Sequence, residues 1–242
     1  MVHVVRIITE DVGVRLDGRD VLRDINISMD GPGLYFLLGR NGSGKSTLLR
    51  TLAGLLRYEG SIWINGRELR RFRRKELARI VGFVWQNPLF GFFEYNVERE
   101  IKFILKNLDM DEANFREIVE FFGVDHLLDR RPFSLSGGEA KRVEICSVLV
   151  ANQPILLMDE PEGELDLDGL RRLLVFLEHG CRRKLILVAT HNTMFAYRMR
   201  RIAKGYFIIS EGRIQGFFGP SILEDEDFLS DVGIIPVDWW FG

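Results

Sequence analysis

Residues 39–47 read Gly39-Arg40-Asn41-Gly42-Ser43-Gly44-Lys45-Ser46-Thr47. Two glycines with four residues between them, then lysine and serine, fit the pattern of a phosphate-binding loop. The glycines let the backbone curl tightly and turn its N–H groups inward on a polyphosphate. Lys45 is placed to reach the terminal phosphates as a point charge, and Ser46 to offer its hydroxyl to a magnesium ion. Leu34-Tyr35-Phe36-Leu37-Leu38, just before the loop, is the short apolar run of a buried strand. Leu48, Leu49, Leu52, Leu55 and Leu56, just after it, recur at helical spacing. Strand, glycine loop and helix form the arrangement the chemistry needs, because the helix start brings its positive dipole end to the anion. These flanks separate the loop from a glycine turn in an unrelated α/β protein.

The chain has 242 residues, 46% hydrophobic and 28% charged, enough for one large domain or two small ones around a sizeable core. A net charge of −2 supplies no electrostatic argument for a nucleic-acid partner, and none is expected. No apolar run approaches the ~20 residues that span a bilayer. Met1–Val5 lacks the charged start and apolar stretch of a signal peptide. Cys146 and Cys181 make neither a disulfide framework nor metal-site spacing. These features point to a cytosolic protein with reduced thiols, which would need other subunits to act at a membrane.

The first thirty residues read as strands, with Asp17-Gly18 a hairpin turn between Val12–Leu16 and Val21–Met29. Ser61–Ile64 followed by Asn65-Gly66 is another strand and turn, so an antiparallel layer is expected beside the loop. Ile80–Trp85 reads as a strand that delivers Gln86. From Glu98 to Leu128 the apolar spacing turns helical. Ile155–Met158 and Leu185–Ala189 are continuous apolar runs, typical of strands covered on both faces. Between them Leu170, Leu173, Leu174 and Leu177 line a helix that Gly180 should end. The alternation of strand and helix argues for a parallel sheet. In the tail, the acidic Glu224–Asp227 precedes Trp239-Trp240-Phe241; these aromatics either dock on their own domain or face another subunit.

Asp159 and Glu160 follow the apolar run 155–158. Adjacent residues at a strand end point differently, so the two carboxylates are free to divide the work. Asp159 suits a magnesium ion held through water, and Glu160 a general base for an attacking water. Read alone, the pair is equally a capping acid pair before Pro161. Ser136 with Glu139 three residues later is a capping box. Gly137 and Gly138 serve no capping purpose and cost helix stability, but they leave bare N–H groups at a helix start, which is an anion site. His191 follows the run 185–189, where α/β proteins place ligand-facing side chains. His3, His126 and His179 have no such placement.

The loop 39–47, Gln86, Leu135–Glu139, Ile155–Glu160 and His191 occur in the order that defines the ABC-type ATPases. Ser136 precedes Asp159 by 23 residues and His191 follows it by 32, spacings that also resemble the family. The resemblance runs from the early strands to about Arg213. It implies an α/β P-loop NTPase fold in one ABC ATPase domain, mainly a parallel core with an antiparallel layer. Residues 1–86 and 151–210 would form the nucleotide-binding core, 87–150 a helical subdomain and 211–242 a C-terminal extension.

It further implies ATP and Mg2+ as cofactors, and a head-to-tail dimer, homo- or heteromeric, with two nucleotides at its interface. Each would be gripped by Lys45 and Ser46 of one subunit and by Ser136 and Gly138 of the other, with the rest of residues 39–47, Gly137 and Asp166 also contacting the nucleotide. Ser46, Gln86 and Asp159 would serve the metal, Gln86 also sensing the partner. His191 would hold the terminal phosphate. Residues 86–88, 97–101, 136–149 and 233–236 are similar to energy-coupling-factor and cobalt-type importers. The expected setting is therefore the cytoplasmic face of a membrane, bound to integral membrane transport subunits. A soluble ABC ATPase of the iron–sulfur assembly type, and a nucleotide-dependent regulator, are the other readings.

Three stretches depart from the family pattern. Leu16 stands where an aromatic usually stacks on adenine, and it has no π face, so weaker base selectivity is expected. Glu162 and Glu164 add carboxylates near the dimer interface, either repelling phosphate or pairing with a basic residue across it. Leu89–Asn96 is aromatic and lacks the polar insertion that many importers of this group have. It fits either core packing or an apolar groove for a helix of a membrane subunit.

Overall fold

A computed structural model describes residues 5–240. β1 (Arg6–Leu16) and β2 (Arg19–Ile25) pair antiparallel across Asp17-Gly18, with Leu16 opposite Arg19. Both turn residues have positive φ, 49° and 78°, as a two-residue hairpin turn requires. The expected second strand breaks at Asn26, and β3 (Ser28–Asp30) pairs separately with the start of β1. The chain then enters a second sheet as β4 (Gly33–Leu38), and α1 (Lys45–Leu52) follows the loop. It returns as β5 (Glu59–Ile64) on β1, with β6 (Arg67–Glu68) after the Asn65-Gly66 turn. The antiparallel layer is ordered β2-β1-β5-β6.

The larger sheet adds β7 (Val81–Val84), β8 (Ile155–Asp159), β9 (Leu185–Thr190), β10 (Ala203–Ser210) and β11 (Arg213–Phe218). Its order is β11-β10-β4-β9-β8-β7, parallel except for β11. Short α2 (Arg74–Ala78) precedes β7. Between β7 and β8 lie α3 (Val97–Leu108), α4 (Phe115–Phe122) and α5 (Gly137–Leu149). α6 (Leu167–Gly180) links β8 to β9, α7 (Thr193–Arg198) links β9 to β10, and α8 (Glu226–Asp231) lies in the tail.

The continuous apolar runs have a direct cause. Leu34, Phe36 and Leu38 of β4 enter a core shared with α3–α7, while Tyr35 and Leu37 enter a second core shared with α1 and the antiparallel layer. β8 and β9 divide their side chains in the same way. A strand covered on both faces has no polar face to alternate with. The parallel strands β4, β8 and β9 end on one edge of the sheet, which collects residues 39–47, 159–160 and 191.

Two boundaries differ from expectation, and a third agrees for a different local reason. α1 stops at Leu52, because Gly54 turns with φ 72°, and Leu55 is exposed. The helical stretch 98–128 is two helices, separated where Asp109 takes a left-handed φ of 49°. α6 does end at Gly180, but its cap, Cys181, is right-handed helical, so no left-handed glycine stops it. In the tail, Trp240 Nε1 donates to Thr193 Oγ1 at 3.3 Å, which docks that indole on its own domain, whereas Trp239 faces outward. Phe241 and His3 lie outside the described residues. No helix among the described residues is long and apolar enough to cross a membrane.

Candidate active site

The glycines of residues 39–47 are there for space and for φ. A Cβ on Gly39 would lie 2.4 Å from Ser43 Oγ and 2.6 Å from the Ile209 carbonyl oxygen. Gly44 has φ 108° and caps α1 with no side-chain oxygen on its first amides. Those donors are left for an anion. Lys45, 5% exposed, donates from Nζ to the carbonyls of Gly39 (2.7 Å) and Arg40 (3.1 Å) and lies 3.7 Å from Glu160 Oε1. Burial pushes its amine pKa down, while the charges of Glu160 and Asp159 pull it back up.

Glu160 is where the separated motifs meet. Its Oε2 accepts from Gln86 Nε2 at 3.1 Å, and its Oε1 lies 2.9 Å from His191 Nδ1. A carboxylate opposite requires Nδ1 to carry the proton. The Glu160 backbone is left-handed, with φ 45°, a conformation that costs a non-glycine residue on the order of 1 kcal/mol or more. Its N–H is tied to Ala189 O at 2.8 Å, so β9, the strand before His191, holds it there.

A cleft of about 390 Å3 joins these parts. It is lined by Leu16 and Val21, by Asn41, Gly42 and Gly44–Thr47, and by Gln86 and Glu160. Arg40 instead turns toward Glu211, at 3.7 Å. Ser43 is buried, its hydroxyl without a partner. Asp159, 1% exposed, has no hydrogen bond of normal geometry on either oxygen. Burial pushes its carboxyl pKa up, and the nearby Ser46 hydroxyl draws it down.

Ser136, Gly137, Gly138 and Asp166 form a separate cluster. Ser136 Oγ accepts the N–H of Glu139 at 3.4 Å, and Glu139 Oε2 accepts from Ser136 N at 2.8 Å, a reciprocal cap on α5. Cβ atoms on Gly137 and Gly138 would lie 3.0 Å from Glu164 Oε2 and 3.1 Å from Glu164 O. The two glycines thus also admit the neighbouring segment. Asp166 caps α6, accepting from Gly169 N at 2.7 Å.

Glu162 corrects an expectation. It does not face outward as an interface charge, because its Oε1 accepts the Thr190 hydroxyl and its Oε2 is buried without a partner. Burial pushes its pKa up to about 7, against the Thr190 hydrogen bond. Leu89–Asn96 is not core packing apart from Phe92. Leu89, Phe90, Phe93 and Tyr95 are exposed, beside a cavity of about 180 Å3 lined in part by Trp85, Phe93, Phe103 and Glu144.

Sequence reasoning missed Lys141 and Glu144, which are buried and paired at 3.1 Å on the strand-facing side of α5. Their spacing of three beside Val143 and Cys146 was the available signal.

The ABC transporter family model matches residues 22–163. A protein of Archaeoglobus fulgidus is 37% identical over 225 residues, covering 90% of this chain and 92% of that one. The energy-coupling factor transporter ATP-binding protein EcfA2 of Caldanaerobacter subterraneus subsp. tengcongensis is 33% identical over 224 residues, covering 88% of this chain and 77% of that one. The solved structure of cbiO1 from Clostridium perfringens, part of the ABC transporter complex cbiONQ, superposes with TM-score 0.76 at 26% identity, covering 93% of each chain. The chain belongs to the ABC transporter ATP-binding family, whose domains are ATPases that power transport.

Proposed function

We propose that this chain is the ATP-hydrolysing subunit of an importer, working as a head-to-tail dimer under separate membrane subunits. The observation that carries the hydrolytic role is the meeting of Gln86, His191 and Lys45 on Glu160. Glu160 is the general base, with His191 and Gln86 orienting its two oxygens. Lys45 and the N–H groups at the start of α1 meet the charge that develops on the terminal phosphate.

The site also fits a magnesium ion, because the buried, unpaired oxygens of Asp159 stand beside the Ser46 hydroxyl. Ser46 and Gln86 would hold the ion directly and Asp159 through water. When bound, it would neutralise negative charge on the phosphates. Leu16 would contact the base.

Ser136, Gly137, Gly138 and Asp166 lie outside the loop cleft, which supports their acting on the nucleotide of a second subunit. The exposed aromatic surface at 89–95 would seat an apolar helix from a membrane subunit, placing the chain on the cytoplasmic face. The likeness to EcfA2 and cbiO1 supports the importer role.

Mixing two inactive variants tests the shared site. K45A spoils the loop and G138D the turn at Ser136–Gly138 that starts α5, the signature turn, so a mixed dimer keeps one intact composite site. Phosphate release should return on mixing, and its failure to return would exclude sites completed in trans. Co-purification with a polytopic membrane protein tests the transport role separately.

A further inference from the structure

Two charged side chains of α5 are almost wholly buried, Lys141 at 0% and Glu144 at 1% exposure. Burying such a pair returns little stability, since desolvating two charges offsets their attraction, and apolar side chains of similar volume often serve better. What else the pair touches is the backbone leading to Gln86. Glu144 Oε1 accepts the N–H of Trp85. Lys141 Nζ donates to the carbonyl of the same residue and, at 3.3 Å, to that of Gln86.

Both polar groups of the Trp85 backbone are therefore held by side chains of one helix. β7 ends at Val84, so these groups lie past the end of that strand. The Trp85 ring is fixed as well, edge-on to Phe83 at 4.7 Å and with the Arg50 guanidinium 5.5 Å from its centre. The next residue, Gln86, reaches Glu160 through its amide. α5 itself starts at the Ser136 cap, little more than one turn before Lys141.

We propose that Lys141 and Glu144 are positioning residues for hydrolysis. They form a buried ion pair by which the signature helix grips the Trp85–Gln86 backbone and sets the Gln86 amide on Glu160. Neither side chain touches the reacting atoms; both act through Gln86. A shift of the signature turn is carried by α5 to the base, which links the two functional clusters of one chain by direct contact.

A double-mutant cycle tests this. K141M/E144Q removes both charges together, leaves no unpaired ion in the core and keeps an acceptor for the Trp85 N–H. With purified protein and Mg–ATP, kcat should fall about tenfold while KM stays within roughly twofold of wild type. Q86A alone should also lower kcat about tenfold, but less than about twofold further in the K141M/E144Q background, because the pair acts through that side chain. Equal fold-losses for Q86A in both backgrounds, or a wild-type kcat in K141M/E144Q, would overturn the proposal. If the double variant shows no cooperative melt, K141M, in which the buried Glu144 carboxyl can take up a proton and leave no ion, enters the same cycle under the same two criteria, with an expected loss of about threefold.

Discussion

The phosphate loop and the signature turn are both glycine-bearing starts of helices, and they are finished differently. At the loop, α1 has no side-chain cap, and Lys45 and Glu160 lie against it. At the signature turn, Ser136 and Glu139 cap α5 reciprocally, and the side chain pressed on the glycines is Glu164. In the first region an ammonium, an amide and an imidazole converge on one carboxylate from distant parts of the chain. The second presents a helix start capped by its own side chains. The contrast teaches that two glycine-bearing helix starts differ by what converges on them, and in the function proposed above the base belongs to the loop.

The largest effect should come from the base. E160Q is expected to lower hydrolysis about a thousandfold while ATP binding stays within a few-fold, measured by phosphate release and nucleotide titration. Normal turnover would remove Glu160 as the base and erase the contrast. G138D should reduce hydrolysis about a hundredfold with ATP still taken up by the loop. Should G138D lose binding as K45A does, the two regions would not be separate.

The next effect concerns Glu162, which lies between the base and the histidine turn. Its folded pKa of about 7 stands above the ordinary 4.5, so the fold prefers the neutral acid. Its contribution is full below about pH 4.5 and is lost as the pH rises through about 7. E162Q is neutral throughout and should gain on wild type over that window by about 2 kcal/mol, or roughly 5 °C in Tm at pH 8 relative to pH 5. Thermal melts of nucleotide-free protein check this, and a Tm difference independent of pH would count against it. The smallest effect concerns the base contact. L16Y should raise the preference for ATP over GTP roughly three- to tenfold by adding a π face. An unchanged ratio in competition binding would show that Leu16 does not govern the adenine end of the cleft.

Much of this arrangement was legible in the residues. β4, β8 and β9 could be read as buried runs because both of their faces meet apolar cores. The Asp17-Gly18 turn was legible because few residues accept positive φ. The end of α1 was not, since Leu55 and Leu56 continue the apolar spacing and only Gly54 breaks it. Glu162 was read as a charge near the dimer interface, whereas the turn after Pro161 directs it to Thr190. Lys141 and Glu144 were passed over because charged residues on a helix are ordinarily solvated.

The sequence by itself determined the phosphate loop, the order of the motifs and the sheet that carries them, because local spacing and backbone freedom are properties of neighbouring residues. Only the tertiary structure decided which side chains meet on Glu160, that Glu162 turns inward, and that α5 grips the backbone before Gln86. Those contacts join residues from 28 to 115 positions apart, and distance along the chain carries no signal of where folding brings two side chains together.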